Sequence, residues 1–270
     1  MVSARTTTPL IAALVLAMPL ASTPARATAQ AQSGNTFEWK GTVLQGNTLE
    51  IKGVNGDVRA EVASGGQAEV VATKSSRRSD IGSVRIEVVE HGGGVTLCAV
   101  YPDTDNRPNE CAPGDGGRMN VRDNDVKVSF VVRVPPGATF VGKTVNGDVT
   151  TASLSGPVSL RTVNGSVEFS TSGSGDASTV NGEIKAALGN AMWEGRLEFS
   201  TVNGGISLEL PQDLQTDVRA RTVNGSINTD FPVTAMGRID RRTLTGTIGG
   251  GGNRSLELET VNGSISLKRR

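Results

Sequence analysis

One phrase, Thr-Val-Asn-Gly followed by a polar residue and then Ile or Val, recurs along this chain with little change. Its copies centre on Val54-Asn55-Gly56, Val145-Asn146-Gly147, Val163-Asn164-Gly165, Val180-Asn181-Gly182, Val202-Asn203-Gly204, Val223-Asn224-Gly225 and Val261-Asn262-Gly263. Thr243-Leu244-Thr245-Gly246 is a degenerate eighth copy. From Asn146 onward the Asn position, or Thr245, recurs at intervals of 18, 17, 22, 21, 21 and 17 residues. That is the period of a solenoid coil or of two hairpin strands. The flanking Val, Ile, Thr, Leu and Ser alternate as strands do, and Asn-Gly is expected to supply the positive φ angles of a tight turn. Helix is excluded nearly everywhere. Ala186 to Gly195 alone is ambiguous, and its two Gly and one Asn mark it as an irregular excursion.

Two all-β architectures fit this spacing. In an antiparallel meander, closed as a sandwich or barrel, each Asn-Gly is a hairpin, so the Val before Asn shares a face with the residue after Gly. That residue is Asp57, Asp148, Ser166, Glu183, Gly205, Ser226, Thr247 or Ser264, never apolar. A meander therefore puts the recurrent Val on a polar face and leaves the identity between copies unexplained. In a single-stranded β-solenoid, equivalent residues of successive coils lie about 4.8 Å apart and form ladders. The expectation is Val on Val inside and buried Asn amide on Asn amide at the corner, over Asn55, Asn146, Asn164, Asn181, Asn203, Asn224 and Asn262. The residue three before Asn, as in Lys52, Lys143, Arg161, Arg221, Arg242 and Glu259, then faces out, while Leu160 with Val158 and Leu258 with Leu256 face in. The solenoid is the favoured reading and the meander its alternative.

Composition sets the compartment and the limits of the core. Among 270 residues there are nine aromatics and 34 glycines, so the core is narrow and built mainly of Val, Ile and Leu. The 27 basic and 27 acidic side chains cancel, which gives no reason to expect nucleic acid as a partner. Residues 1–29 read as a secretory signal, with Arg5 ahead of the apolar run Leu10 to Ala21 and small residues around Ala25, Ala27 and Ala29. That run is too short to span a bilayer, and Pro19 interrupts it. Export to an oxidising compartment pairs Cys98 with Cys111 across a segment of turn formers. Residues 30–270 read as one domain, with irregular N-terminal coils, a Cys-bridged loop over 98–111 and regular repeats over 141–270. In the N-terminal third, Ala68 to Thr73, Val84 to Val89, Val95 to Tyr101 and Val126 to Val134 read as strands.

With the Thr-Val-Asn-Gly-x-[Ile/Val] phrase in view, the stretch from Phe37 to Leu267 resembles a family of bacterial exported, adhesin-like proteins whose domain has no assigned function. The resemblance implies a single-stranded β-solenoid in the envelope or outside the cell. It carries no catalytic residues.

The residues offer little chemistry of their own. A polysaccharide-cleaving β-helix would use Asp57, Asp148 and Glu183 with Lys143, Arg161, Arg221 and Arg242. These positions follow the repeat instead of breaking it, and five of the eight copies lack the acid. His91 is the only imidazole and precedes three glycines in an apparent turn. Asp103, Asp105, Asp123 and Asp125 do not form a recognisable calcium loop. No cofactor or metal is expected. Lys143, Arg161, Arg221 and Arg242 share one repeat position and could line up as a basic stripe toward an anionic polymer. The sequence thus predicts a noncatalytic exported module that binds a surface, glycan or protein partner and has no membrane span. The alternatives are an envelope protein that self-assembles through open solenoid ends, the last coil having only Lys268, Arg269 and Arg270 to cap it, and the polysaccharide-cleaving enzyme.

Overall fold

The computed structural model describes residues 29–104, 107–235 and 240–270; residues 1–29, read from the sequence as an export signal, lie outside them except for Ala29. The N-terminal strands are β1 (Ala29–Ser33), β2 (Thr36–Thr42), β3 (Thr48–Lys52), β4 (Val58–Val62), β5 (Gln67–Ser75), β6 (Arg85–His91), β7 (Gly94–Val100) and β8 (Lys127–Val134). Four regular coils follow as β9 (Thr139–Lys143), β10 (Val149–Leu154), β11 (Val158–Arg161), β12 (Val167–Thr171), β13 (Gly175–Ser178), β14 (Ile184–Leu188), β15 (Gly195–Asn203) and β16 (Ile206–Leu210). The C-terminal strands are β17 (Thr216–Asn224), β18 (Ile227–Thr229), β19 (Val233–Ala235), β20 (Thr243–Ile248), β21 (Arg254–Asn262) and β22 (Ile265–Arg269).

Each coil is one strand on either side of an Asn-Gly corner, and the two strands enter two facing open sheets. One sheet runs β1-β2-β5-β8-β4-β10-β12-β14-β16-β22-β18, the other β19-β20-β17-β21-β15-β13-β11-β9-β3-β7-β6. From β3/β4 to β17/β18 every coil-to-coil pairing is parallel, and the register is kept except for a shift between Thr151 and Leu154 where β10 meets β12. The fold is therefore all-β and solenoid-like, and the antiparallel meander does not occur.

Register turns the repeat into rows. Val58, Val149, Val167, Ile184, Ile206 and Ile265 stand over one another, each at most 1% exposed. In the facing sheet, the row Ile51, Gly142, Leu160, Ala177, Phe199 alternates large with small before the large Leu258 and the small Ala220, so bulky side chains are mostly flanked by small ones in a thin core. Gly175 leaves room for the Phe169 ring, which stacks on Phe199 at 6.3 Å between centroids. Burying a Leu or Phe side chain in this way stabilises the fold by about 1.5–3 kcal/mol.

The corner departs from expectation in two ways. The inward residue is Thr, not Val: Thr144, Thr162, Thr179, Thr201, Thr222 and Thr260 are buried, while Val145, Val163, Val180, Val202 and Val223 are 37–44% exposed. The corner takes several residues to pass between two inward positions, so strict alternation does not run through it. Corner glycine also serves close approach and not left-handed backbone, since positive φ occurs there at Gly56 alone. A Cβ on Gly182 would lie 1.9 Å from the Gly165 carbonyl oxygen of the coil beneath, and Gly165 and Gly204 are in the same position. Ala186–Leu188, expected to be irregular, belongs to β14.

Both ends break chain order. β7/β8 forms a coil beneath β3/β4 in which a long connection, described over residues 101–104 and 107–126, replaces the corner, and antiparallel β6 on one sheet and β5, β2 and β1 on the other close that end. At the other end, the degenerate copy around Thr245 is no corner; it lies in β20, antiparallel to β17. The last repeat is not terminal either. β21 lies between β15 and β17, and β22 between β16 and β18, so the final coil is inside the stack.

Candidate binding surface

The corners align the asparagines on the outside of the molecule. The Nδ2 of Asn146 donates to Asn55 Oδ1 at 2.8 Å, Asn164 to Asn146 at 2.8 Å, Asn181 to Asn164 at 2.8 Å and Asn203 to Asn181 at 2.7 Å. Asn262 then donates to Asn203, and Asn224 to Asn262, each at 2.8 Å. All six bonds point the same way. The amides are not buried, as the sequence reading had them, because the side chain after an outward Val also faces out; all but Asn55 are exposed. At about 4.8 Å per step the seven rungs span roughly 29 Å.

Two further rows flank the amides. On one side run the half-exposed valines; on the other run Asp57, Asp148, Ser166, Glu183, Gly205, Ser264 and Ser226 in stacking order. The result is a ridge four residues wide, apolar, amide, glycine and acid or hydroxyl, repeated coil by coil. Its acids already have partners. Asp57 Oδ1 accepts the Asp148 N–H at 3.0 Å, Asp148 Oδ1 accepts the Ser166 N–H at 2.7 Å, and Glu183 pairs with Lys185 at 3.1 Å.

The four basic positions do not make one continuous stripe, although Lys143, Arg161 and Arg221 share a register row. Lys143 and Arg161 are neighbours on β9 and β11, while Arg221 on β17 lies beyond Ser178, Ser200 and Glu259. Arg242 is in an exposed turn before β20, where its carbonyl accepts the Thr222 N–H. Lys143 and Arg161 both face Asp115, at 3.1 and 3.7 Å. The Lys143 ammonium holds the Asp115 carboxyl below its ordinary pKa.

Asp115 belongs to a strap that the sequence left as a plain loop. Cys98 and Cys111 are joined, and residues 110–119 pack over the outer face of β7, β3 and β9. Glu50, facing outward from β3, is thereby covered to 3% exposure. Its Oε1 meets Lys143 Nζ at 3.0 Å, and its Oε2 accepts from Thr96 Oγ1 at 2.9 Å and Gly114 N–H at 2.8 Å. Lys52 Nζ donates to the Ala112 and Gly116 carbonyls, and burial lowers its pKa. Nothing in Leu49-Glu50-Ile51-Lys52 marks Glu50 out, since an outward acid on a strand is ordinary. His91 ends β6, with Nε2 3.4 Å from Thr96 Oγ1.

Asp125, Asp103 and Asp176 hold local structure. Asp125 accepts N–H bonds from Arg77, Arg78 and Ser79, and the Ser79 bonds above all bring its pKa down to about 2. Asp103 accepts the Asn109 N–H, and Asp105 lies outside the described residues. On the sheet beside Arg161, burial raises the pKa of Asp176, which accepts from Ser159. All nine aromatic residues, Phe37, Trp39, Tyr101, Phe130, Phe140, Phe169, Trp193, Phe199 and Phe231, are buried. The surface therefore offers valine, amide, hydroxyl and charge, and no Phe, Tyr or Trp ring on which a base or sugar could stack. No helix among the described residues is long and apolar enough to cross a membrane.

The chain is similar to three solved structures: a putative cell adhesion protein from Clostridium sporogenes and putative adhesins from Bacteroides fragilis and Parabacteroides merdae. For the first, identity is 10% over 86% of this chain and 99% of that one, with a TM-score of 0.42. The second gives 12% over 87% and 98%, at 0.36, and the third 12% over 87% and 96%, at 0.30. No curated protein matches the chain. The sequence model of one family, however, matches residues 26–268, the stretch that contains every corner of the ridge. On that match the chain belongs to the Toastrack DUF4097 family.

Proposed function

We propose that this protein is a noncatalytic, exported binding module, adhesin-like or envelope-associated, which meets its partner along the amide ridge. One observation carries this reading: five coils leave a Val 37–44% exposed beside an ordered amide ladder, at a position the core does not use. Contiguous apolar surface rimmed by polar groups is the usual mark of an interaction site. Because every rung presents the same groups at the same spacing, the ridge suits an extended or repetitive surface better than a compact small molecule. The buried aromatics favour a protein or a polar polymer over a ligand gripped by ring stacking. Export is supported by residues 1–29 and the Cys98–Cys111 bridge. The noncatalytic reading is supported by the corner acids, which are occupied by backbone donors and Lys185.

The test is retention of the mature chain on isolated cell walls, envelope polysaccharides and matrix proteins. Val163→Ser, Val180→Ser and Val202→Ser combined should abolish retention while leaving the melting transition within a few degrees, because these side chains are outside the core. Retention unchanged in that variant would move the binding site off the ridge. New reducing or unsaturated ends on any polysaccharide would overturn the noncatalytic reading.

A further inference from the structure

The stack is not wound in chain order. Leaving β16, the chain skips one tier, lays down β17 and β18, turns through β19 and β20, and only then returns as β21 and β22 to fill the tier it skipped. The filling coil is deeply held: Leu256, Leu258, Thr260, Ile265 and Leu267 are each at most 2% exposed.

Two features make this coil detachable in principle. First, its ladder contacts are generic. Asn262 pairs with Asn203 below and Asn224 above, and Leu258 with Phe199 and Ala220, in the register used by every other coil. The contacts peculiar to the coil lie at its two ends: Arg196 to Glu257 at 3.0 Å, Arg254 to the Ala191 carbonyl at 2.8 Å and to Met192, Thr216 to the Arg254 carbonyl, the Asp230 N–H to Leu267, the Arg269 N–H to Asp230, the Arg270 N–H to Leu210, and Arg269 over the Phe231 ring. All of these would be made equally well by the same coil arriving from another molecule. Second, the coil is tied to the rest by Gly249, Gly250, Gly251 and Gly252, and the first three have φ of +61°, +93° and +77°. These glycines carry the chain from β20, on one side of β17, to β21 on the other. A Cβ on Gly249 would lie 2.4 Å from the Leu214 carbonyl oxygen. The return into the chain's own slot thus depends on backbone that only glycine adopts readily.

From the skipped tier, the shared register and the glycine hinge we infer that residues 254–270 are an exchangeable coil, and that the slot between β15/β16 and β17/β18 accepts this coil from a second copy of the chain. Reciprocal exchange gives a domain-swapped dimer in which both ladders are complete and only the hinge differs from the monomer. A short hinge loop is where exchange of this kind begins.

Ser207 and Ser266 are register partners on β16 and β22, so a disulfide between cysteines placed there reports whose coil fills the slot. The full chain carrying Ser207→Cys and Ser266→Cys is refolded at rising concentration, oxidised afterwards, and resolved on a nonreducing gel with peptide mapping. Exchange predicts a covalent dimer joined through 207 and 266, whose ratio to monomer grows about tenfold for a tenfold rise in concentration at low conversion. Adding Gly249→Val and Gly251→Val, which disfavours the positive-φ return, should make that dimer the main product. Linkage of 207 to 266 only within single chains, at every concentration and with both hinges, overturns the inference. So does a dimer whose chains are each linked internally, because it would associate through another surface. Should the hinge variant yield no soluble chain, the concentration series with the native hinge decides alone.

Discussion

Thr201 and Asn203 stand two residues apart in the same corner and bear different loads. Thr201 is 4% exposed, and its Oγ1 donates to the Gly182 carbonyl of the adjacent coil at 3.0 Å. Asn203 donates to Asn181 and accepts from Asn262, but in contact with water. Hydrogen bonds open to solvent are readily replaced by water, whereas a buried acceptor stripped of its donor pays its desolvation cost. Thr201→Val keeps the shape and removes the donor, so it should cost about 1–3 kcal/mol, and Asn203→Ala clearly less. Urea unfolding of the two variants side by side checks the order; an equal or reversed order would mean that the amides, not the threonines, hold the coils together. The sequence showed that Thr, Val and Asn all repeat, but not which of them faces inward. Alternation holds along strands such as Val158-Ser159-Leu160 and lapses at the corner, where the wider turn sends both Val202 and Asn203 outward.

At the scale of elements, strands with regular alternation were legible and the strap was not. The coils from β9 to β16 follow from hydrophobic pattern and repeat length, and the cysteine pair could be read from compartment and spacing. That the residues around and just after Cys111 lie on β7, β3 and β9 could not, because the attachment is made by Glu50, Lys52 and Lys143, ordinary outward residues in their own strands. The strap takes the place of a corner, so β7/β8 lacks the threonine, amide and glycine contacts of the other coils and relies on the bridge and the covered Glu50 instead. Replacing Cys98 and Cys111 together by Ser should therefore cost about 3 kcal/mol in the chain-entropy picture. It should also open residues 101–126 to protease, with cleavage inside the strap preceding loss of the remaining coils. Cleavage as slow as in the parent would show that Glu50 and its partners hold the strap unaided.

For the whole molecule, the identity of the copies that revealed a solenoid also concealed its winding order. A ladder in which every rung is alike fixes register but not sequence of tiers, so nothing in the repeat indicates that the last coil lies between the fourth regular coil and β17/β18. The order is set by unlike residues, such as Arg196 with Glu257 and Arg269 with Phe231, whose meaning appears only in three dimensions. Interleaving has a mechanical consequence. The β17 to β20 unit reaches the body of the stack through β21 and β22, so weakening that tier loosens both of its neighbours, although one lies before it and the other long before it in the chain. Leu258 is the side chain to remove, being 2% exposed between Phe199 and Ala220. Leu258→Ala should cost about 2–5 kcal/mol. Amide exchange should rise in residues 195–210 and 216–248 together and stay unchanged in β3 and β4, at the far end of the stack. Faster exchange confined to residues 254–270 would mean that β17 to β20 hold to the stack without the inserted coil, and the chain would then behave as tiers in sequence order with a loosely added tail.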